Sequence, residues 1–203
     1  PMALPAEEDE TSVQRLLGCD AVWLLSERAA AASPGFTVDA GNAEQVLVLC
    51  RKLDGIPLAL ELAAVRLASL TLDQLNQGLA SELSILGTAN RGAQARQRTL
   101  EATIGWSYGL LGEQERLLWA RLSVFAGGFE EDAAVQVCSD ARIPAEQIAG
   151  QLGALAEKSI LKRQLGDGRP PRYWLLEIMR QYGLQRLRET GEQSITQQRH
   201  FDW

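Results

Sequence analysis

The stretch "SILKRQLGDGRPPRYWLL", Ser159–Leu176, decides the fold of the second half of the chain. Two short runs containing branched and aromatic residues, "SILKRQL" and "RYWLL", flank "GDGRPP". Gly, Asp and Pro favour tight turns, so this pattern predicts a β-hairpin. A helix is expected to follow from Glu177 to about Glu189 and to end at Gly191, because Gly is the preferred residue just after a helix.

Helical patterns also precede the hairpin. They are "RTLEATIGWSYGLL", "EQERLLWARLSVF", "EEDAAVQVC" and "PAEQIAGQLGALAEKS". Three or four helices, a hairpin and a closing helix are expected to form a winged-helix-like domain over residues 97–191.

The first half contains helical signals alone. Helices are predicted over Ala21–Ala32, after a possible cap at Asn42, from Pro57 onward, and after Thr71. We therefore expect a mainly α protein in which a four-helix lid module at 20–86 precedes the winged-helix-like domain with its one hairpin. Residues 1–19 form an acidic lead, the Gly-rich residues 87–96 are the linker, and 192–203 begin a following helical region.

The composition is that of a folded cytoplasmic protein. Among 203 residues, 46% are apolar and 23% are charged, and no apolar run approaches the ~20 residues of a membrane span. Three widely spaced cysteines predict reduced thiols rather than a disulfide framework or a zinc site. The net charge is −5 over residues 1–54 and +4 over 157–189. Both termini indicate a piece cut from a longer polypeptide.

The residues of an ATPase site are missing from the sequence. No Gly-Lys pair is present, so there is no phosphate-binding loop. Arg51 and Lys52 follow the apolar run "QVLVLC" where a magnesium-binding Asp would be needed. The single histidine, His200, has no second histidine with which to build an acid–base pair or a metal cluster. We expect no enzymatic activity, no metal and no tightly bound nucleotide in this chain.

The stretch "LDGIPLALELAA", Leu53–Ala64, places Pro at the first position of a predicted helix. Pro is well tolerated there, because an N–H at that position would have no partner within the helix and the φ of Pro is already helical. The helix behind it is apolar almost all the way round. Such a helix must be covered on more than one side.

Several stretches together resemble one family. They are "LDGIPLALELAAVRLASL", "RQRTLEATIGWSYGLLGEQERLLWARLSVFAGGFEEDAA", "KSIL" and "YWLLEIMRQYGLQRLRETGE". In this order they look like the non-catalytic half of bacterial STAND-type (NB-ARC) signalling ATPases, and more narrowly like the large ATP-binding transcriptional regulators common in actinobacteria. The resemblance covers nearly the whole chain.

The resemblance implies an architecture and a nucleotide contact. A nucleotide-binding domain would precede the chain, sensor repeats would follow it, and activation would involve homo-oligomerisation. ATP or ADP would be held by the parent protein, with Pro57 touching the nucleotide and Gly55, Ile56 and Leu58 shaping the contact. The alternative is that Pro57 is only the start of a buried helix.

The sequence departs from the family at a second nucleotide contact. Relatives of this family carry a Met-His-Asp triplet whose His contacts a phosphate of the bound nucleotide. The corresponding residues of this sequence are Leu175-Leu176-Glu177. Arg180 is the candidate to replace the missing imidazole.

Direct DNA binding is the rival hypothesis. It would use the basic residues of the hairpin, which are Lys162, Arg163, Arg169 and Arg172. The expected recognition helix argues against it: Ile148, Leu152 and Leu155 should face inward, which leaves a nearly neutral outer face. DNA binding by the parent is therefore expected from a separate domain.

Overall fold

The computed structural model describes residues 2–4, 13–85, 93–165 and 170–203. In these ranges the chain is helical apart from one two-stranded antiparallel hairpin. It divides into two compact units, Pro1–Leu110 and Leu111–Trp203. The mainly helical fold with a single hairpin is as predicted.

The first unit contains six helices among its described residues: α1 Val13–Leu17, α2 Asp20–Ala32, α3 Ala43–Lys52, α4 Pro57–Arg66, α5 Leu72–Ile85 and α6 Ala93–Gly109. Helix α4 lies between α2 and α6, and α5 packs on α3 and α6. Asn42 stands at the N-cap of α3 without making a side-chain cap bond. Thr71 and Gln74 instead cap α5 reciprocally, through Gln74 N to Thr71 Oγ1 at 3.2 Å and Thr71 N to Gln74 Oε1 at 2.9 Å.

Helix α6 belongs to the first unit, whereas the sequence pattern groups residues 97–110 with the winged-helix-like domain. Two contacts account for its place. Trp106 fills the space beside Gly78, where a Cβ would lie 2.6 Å from the indole Nε1. The buried Arg66 donates from Nη2 to the Ser107 carbonyl oxygen at 3.0 Å. The predicted linker, 87–96, falls partly outside the described residues and partly on 93–96, which begin α6.

The second unit contains α7 Glu113–Leu122, α8 Glu131–Cys138, α9 Ala145–Glu157, β1 Leu161–Gln164, β2 Arg172–Leu175, α10 Glu177–Glu189 and α11 Gln193–Asp202. The strands pair with Leu161 opposite Leu175 and Gln164 opposite Arg172. Helix α10 ends as predicted at Gly191, which has a φ of +74°. Helix α11 packs on α8 within this unit.

An aromatic cluster holds the base of the hairpin. Phe129 exchanges two 2.8 Å backbone hydrogen bonds with Tyr173, so a single residue extends the sheet beyond β2. Phe125 stacks on Phe129 with ring centroids 4.7 Å apart, and His200 meets Phe125 edge-on at 4.7 Å. These rings connect α11 to the hairpin.

Candidate functional site

The turn between α3 and α4 is built by two consecutive residues in the left-handed region. Asp54 has a φ of +51° and Gly55 of +59°. The Gly55 N–H donates to the Cys50 carbonyl oxygen at 3.2 Å and the Asp54 N–H to that of Arg51 at 3.0 Å, which is the Schellman arrangement. The Ile56 N–H donates to the Leu53 carbonyl oxygen at 3.0 Å. These three bonds fix the path of the chain into α4.

Pro57 stands at the start of α4 and is exposed. Gly55 is buried, while Ile56 and Leu58 are half-buried on either side of the proline. Ile56 is the N-cap and makes no side-chain cap bond. The four residues singled out in the sequence therefore form one continuous turn that presents an apolar ring outward.

The rest of α4 is covered on several sides, as its composition predicts. Its buried residues are Ala59, Leu60, Leu62, Ala63, Ala64 and Arg66. Glu61 forms an ion pair with Arg28 of α2 at 3.4 Å. Because α4 is packed in this way, the helix behind Pro57 is anchored in the core of the first unit.

Arg180 lies in the second unit, on α10, and is paired with Glu177. Its Nε and Nη2 each donate to a Glu177 carboxylate oxygen at 2.8 Å. Hydrogen bonding to Arg180 lowers the pKa of Glu177 and, reciprocally, raises the pKa of Arg180. An arginine held by a carboxylate one turn earlier has fewer donors left for a phosphate, so the geometry gives little support to Arg180 as a replacement sensor.

The basic residues of the hairpin differ in their surroundings. Arg163 is exposed and Lys162 is half-buried. Arg172 donates from Nη2 to the Gly128 carbonyl oxygen at 3.0 Å. Its Nε lies so close to Gly128 that a Cβ added there would be only 2.6 Å from it. Arg169 lies outside the described residues. Arg172 thus serves partly to hold the hairpin to the turn before α8.

Helix α9 occupies the position of a recognition helix and carries no basic residue. Ile148, Leu152 and Leu155 are fully buried, as predicted. Its exposed residues are Ala145, Glu146, Gln147, Ala149, Gly150 and Glu157. Lys158, just after the helix, forms an ion pair with Glu115 of α7. This surface lacks the positive charge that binds a phosphate backbone.

The structure also contains a buried ionic cluster that the sequence reasoning did not identify. Arg121 of α7 is 2% exposed and donates from Nη1 to the Cys138 carbonyl oxygen, a bond of 2.6 Å. Its Nη2 lies 2.5 Å from Asp140 Oδ2, and its Nε 2.9 Å from Glu192 Oε2. Arg142 forms a second ion pair with Glu192. The only signal in the sequence is an arginine inside the apolar run "LLWARLSVF".

The charges of this cluster shift its titration. Hydrogen bonding to Arg121 holds the pKa of Asp140 well below its usual range. Burial opposes ionisation of Glu192, but hydrogen bonds from Arg142 and Arg121 outweigh it, so the pKa of Glu192 is also lowered. Burial alone would lower the pKa of Arg121, but its hydrogen bonds to the carboxylates of Asp140 and Glu192 outweigh this, so the pKa is raised. The cluster therefore stays ionised at neutral pH.

The cysteines and acidic residues form no recognisable metal site in the described ranges. Cys19, Cys50 and Cys138 are free thiols. Burial raises the pKa of Cys50 and of Cys138 to about 12, so these two thiols are protonated at neutral pH. Among residues 2–4, 13–85, 93–165 and 170–203, no group of three His, Cys, Asp or Glu side chains is placed to hold a metal ion. Within the same part of the chain, every helix is too short or too polar to cross a membrane.

The second unit has the architecture of a winged helix-turn-helix domain. Residues 111–188 match the family model described as "Winged helix-turn-helix domain". Three helices, a β-hairpin and a closing helix fall within that range, and the wing is the hairpin of β1 and β2.

Most of the chain is homologous to part of larger mycobacterial proteins. It is 40% identical over 184 residues to the "Putative HTH-type transcriptional regulator Rv0890c" of Mycobacterium tuberculosis, covering 91% of this chain and 21% of that protein. It is 38% identical over 174 residues to the "Uncharacterized protein Rv0894" of the same organism, covering 85% of this chain and 44% of that protein. The chain thus spans about a fifth of the length of the regulator it matches.

Proposed function

We propose that this chain is a non-catalytic regulatory module of a STAND-type ATPase that acts as a transcriptional regulator. Residues 20–86 serve as the helical lid over a nucleotide held by the parent protein. The observation that carries the proposal is the exposed Pro57, set just after a left-handed turn at the start of a helix that is buried on several sides. The name of the mycobacterial regulator supports the role in transcriptional regulation, and the family resemblance supports the assignment to a STAND-type ATPase.

The module contributes to switching between a closed, ADP-bound state and an open, ATP-bound state. A nucleotide can bias such a switch only if it makes different contacts in the two states. Pro57, with Gly55, Ile56 and Leu58, supplies a contact that belongs to the closed state. The phosphates are bound elsewhere in the parent, because this chain carries no phosphate-binding loop.

The proposal also assigns partners. An upstream nucleotide-binding domain and downstream sensor repeats belong to the same polypeptide, and activation proceeds through homo-oligomerisation in the cytoplasm. DNA is bound by a separate domain. The uncharged to acidic outer face of α9 supports this separation, because a recognition helix without Lys or Arg makes few phosphate contacts.

Two substitutions in the full-length parent test the nucleotide contact. A small apolar contact of ~40 Å² at ~25 cal/mol per Å² contributes about 1 kcal/mol, so Pro57→Ala should release ADP roughly fivefold faster. It should leave the melting temperature nearly unchanged, since Ala is well accepted in a helix. Leu62→Ala, at a fully buried position of the same helix, is the matched control. It should cost about 2–5 kcal/mol of stability without a specific effect on ADP release.

The decisive result is the pairing of the two readouts. If Pro57→Ala lowers the melting temperature and releases ADP at the wild-type rate, then Pro57 is only a helix start. The nucleotide-contact proposal would then be abandoned.

A second candidate function is direct DNA binding through the wing. The exposed Arg163, together with Lys162, Arg169 and Arg172, favours it. These few charges can neutralise only a few phosphates, so any such binding would be weak and lost at moderate salt.

A further inference from the structure

Residues 2–4 lie across the turn that carries Pro57, and we call this segment the strap. The Met2 N–H donates to the Gly55 carbonyl oxygen at 2.8 Å. The Met2 carbonyl oxygen stands 2.6 Å from the place of a Gly55 Cβ. The strap and the turn therefore meet backbone to backbone, at a distance that only glycine permits.

The strap is also fixed on its other side. The Cys19 thiol, at the N-cap of α2, donates to the Ala3 carbonyl oxygen at 2.8 Å. The Met2 side chain packs against the hydrophobic core of the first unit. The strap thus joins the start of α2 to the start of α4, two helices that pack on each other.

The bond from Met2 completes the hydrogen bonding of a buried backbone group. The N–H groups of Asp54, Gly55 and Ile56 are used within the turn, and Pro57 has none. Gly55 is buried with the strap in place, and its carbonyl oxygen then accepts from Met2 rather than from water. Without the strap this oxygen loses its protein donor and is left to water. The turn then loses one of the hydrogen bonds that fix it.

We propose that the strap is the positioning element of the Pro57 turn. It holds Gly55 and Ile56 in place, and a movement of the chain at Met2 is passed to the proline. This inference extends the proposed function by naming what regulates the turn, and its role in ADP retention rests on that function. The positioning itself concerns the first unit alone.

The test measures amide hydrogen exchange by NMR in the 203-residue chain and in a form lacking residues 1–4. The Ile56 amide reports the turn. The Ile160 amide is the internal control, because it donates to the Leu155 carbonyl oxygen at 3.0 Å in a similar left-handed helix end of the second unit. Loss of one hydrogen bond to a buried group should speed exchange at Ile56 about fivefold and leave Ile160 unchanged. Exchange at Ile56 within twofold of the wild-type rate would overturn the proposal.

One substitution made in both chain forms separates the strap from backbone strain. Gly55→Ala in the 203-residue chain places a methyl against the Met2 carbonyl and should also speed exchange at Ile56. In the form lacking residues 1–4 the same change adds only the strain of an Ala at a φ of +59°, because the Met2 carbonyl is gone. Equal acceleration at Ile56 in both forms would mean that strain, and not the strap, controls the turn.

Cys19 provides a milder variant if Gly55→Ala does not fold. Cys19→Ala removes the donor to Ala3 and should give a smaller acceleration at Ile56, whereas Cys19→Ser keeps a donor and should restore the wild-type rate. Failure of Ser to restore the rate would contradict the assigned role of the thiol. In the full-length parent, faster ADP release from Cys19→Ala tests the link to the proposed function, because this change loosens the strap without shortening the polypeptide. Unchanged release together with fast Ile56 exchange would refute that link alone.

Discussion

Gly183 of α10 lies directly against Ser123 at the end of α7. A Cβ at Gly183 would stand 1.9 Å from the Ser123 Oγ and 3.1 Å from Cδ1 of Trp119. The Trp119 indole N–H donates to the Met179 carbonyl oxygen at 3.1 Å, in the turn of α10 that precedes Gly183. The two helices therefore pack at a separation that a missing side chain permits, and α10 closes the winged domain through this contact.

Gly183→Ala should destabilise the second unit by about 1–3 kcal/mol, because an added methyl overfills a packed contact. Gly150→Ala is the control. It changes a helical glycine with nothing within 4 Å and should stabilise by about 0.5–1 kcal/mol. Urea unfolding measures both. Ser123→Gly should recover part of the loss in the Gly183→Ala background, and a purely additive double variant would show that the Ser123 contact is not the cause.

The Arg121 cluster should make the second unit sensitive to acid. The pKa values of Asp140 and Glu192 are lowered on folding from ordinary values of ~3.9 and ~4.3. Their contribution is therefore complete above about pH 5 and is lost as the pH falls through the folded-state values. Melting temperatures from pH 7 to pH 2.5 should show the wild type losing more than an Asp140→Asn, Glu192→Gln double variant. Parallel curves would show that the cluster does not couple to folding.

DNA binding by this chain should be weak and indifferent to sequence. An Arg163→Gln, Arg169→Gln variant should abolish what is seen at low salt, since few phosphates are engaged. Arg188→Gln, which removes one charge from an exposed position of α10 against two in the wing variant, is the control for charge lost outside the wing. Fluorescence anisotropy against salt concentration measures the effect. A sequence-specific footprint that survives at physiological salt would favour the DNA-binding alternative.

Ser159→Gly should stabilise the second unit by about 0.5–1 kcal/mol. Ser159 ends α9 with a φ of +58°, a conformation that costs an L-residue more than glycine. Glycine loses more entropy on folding, which limits the gain. Asp54→Gly is the corresponding change at the left-handed end of α3 in the first unit, and it should gain less because it also removes an ion pair with Arg96 at 3.4 Å. A melting temperature below that of wild type for Ser159→Gly would mean that its side chain makes a stabilising contact.

Local patterns predicted the helices and the hairpin because their causes are local. Periodic burial, Pro57 at a helix start and Gly191 after a helix end each act within a few residues. The unit to which α6 belongs could not be predicted this way, because its sequence pattern is compatible with packing in either unit. The contact of Trp106 with Gly78 places it in the first unit.

The Arg121 cluster joins residues 19 and 71 positions apart in sequence. Charge spacing along a helix does not encode such distances. The strap is similar, because the hydrogen bond from Met2 to the Gly55 carbonyl joins residues 53 positions apart in sequence.

The contact of Phe129 with Tyr173 has a consequence for self-association. Tyr173 directs its N–H and C=O to Phe129, so its pairing with Arg163 across the hairpin is of the non-hydrogen-bonded kind. The N–H and C=O of Arg163 therefore point away from β2, along the outer edge of β1. An open strand edge is a template for aggregation, and long cationic side chains on it oppose docking by another strand. The positive charge of the wing is therefore expected to oppose edge-to-edge pairing between two copies of the sheet, whether or not the wing binds a phosphate.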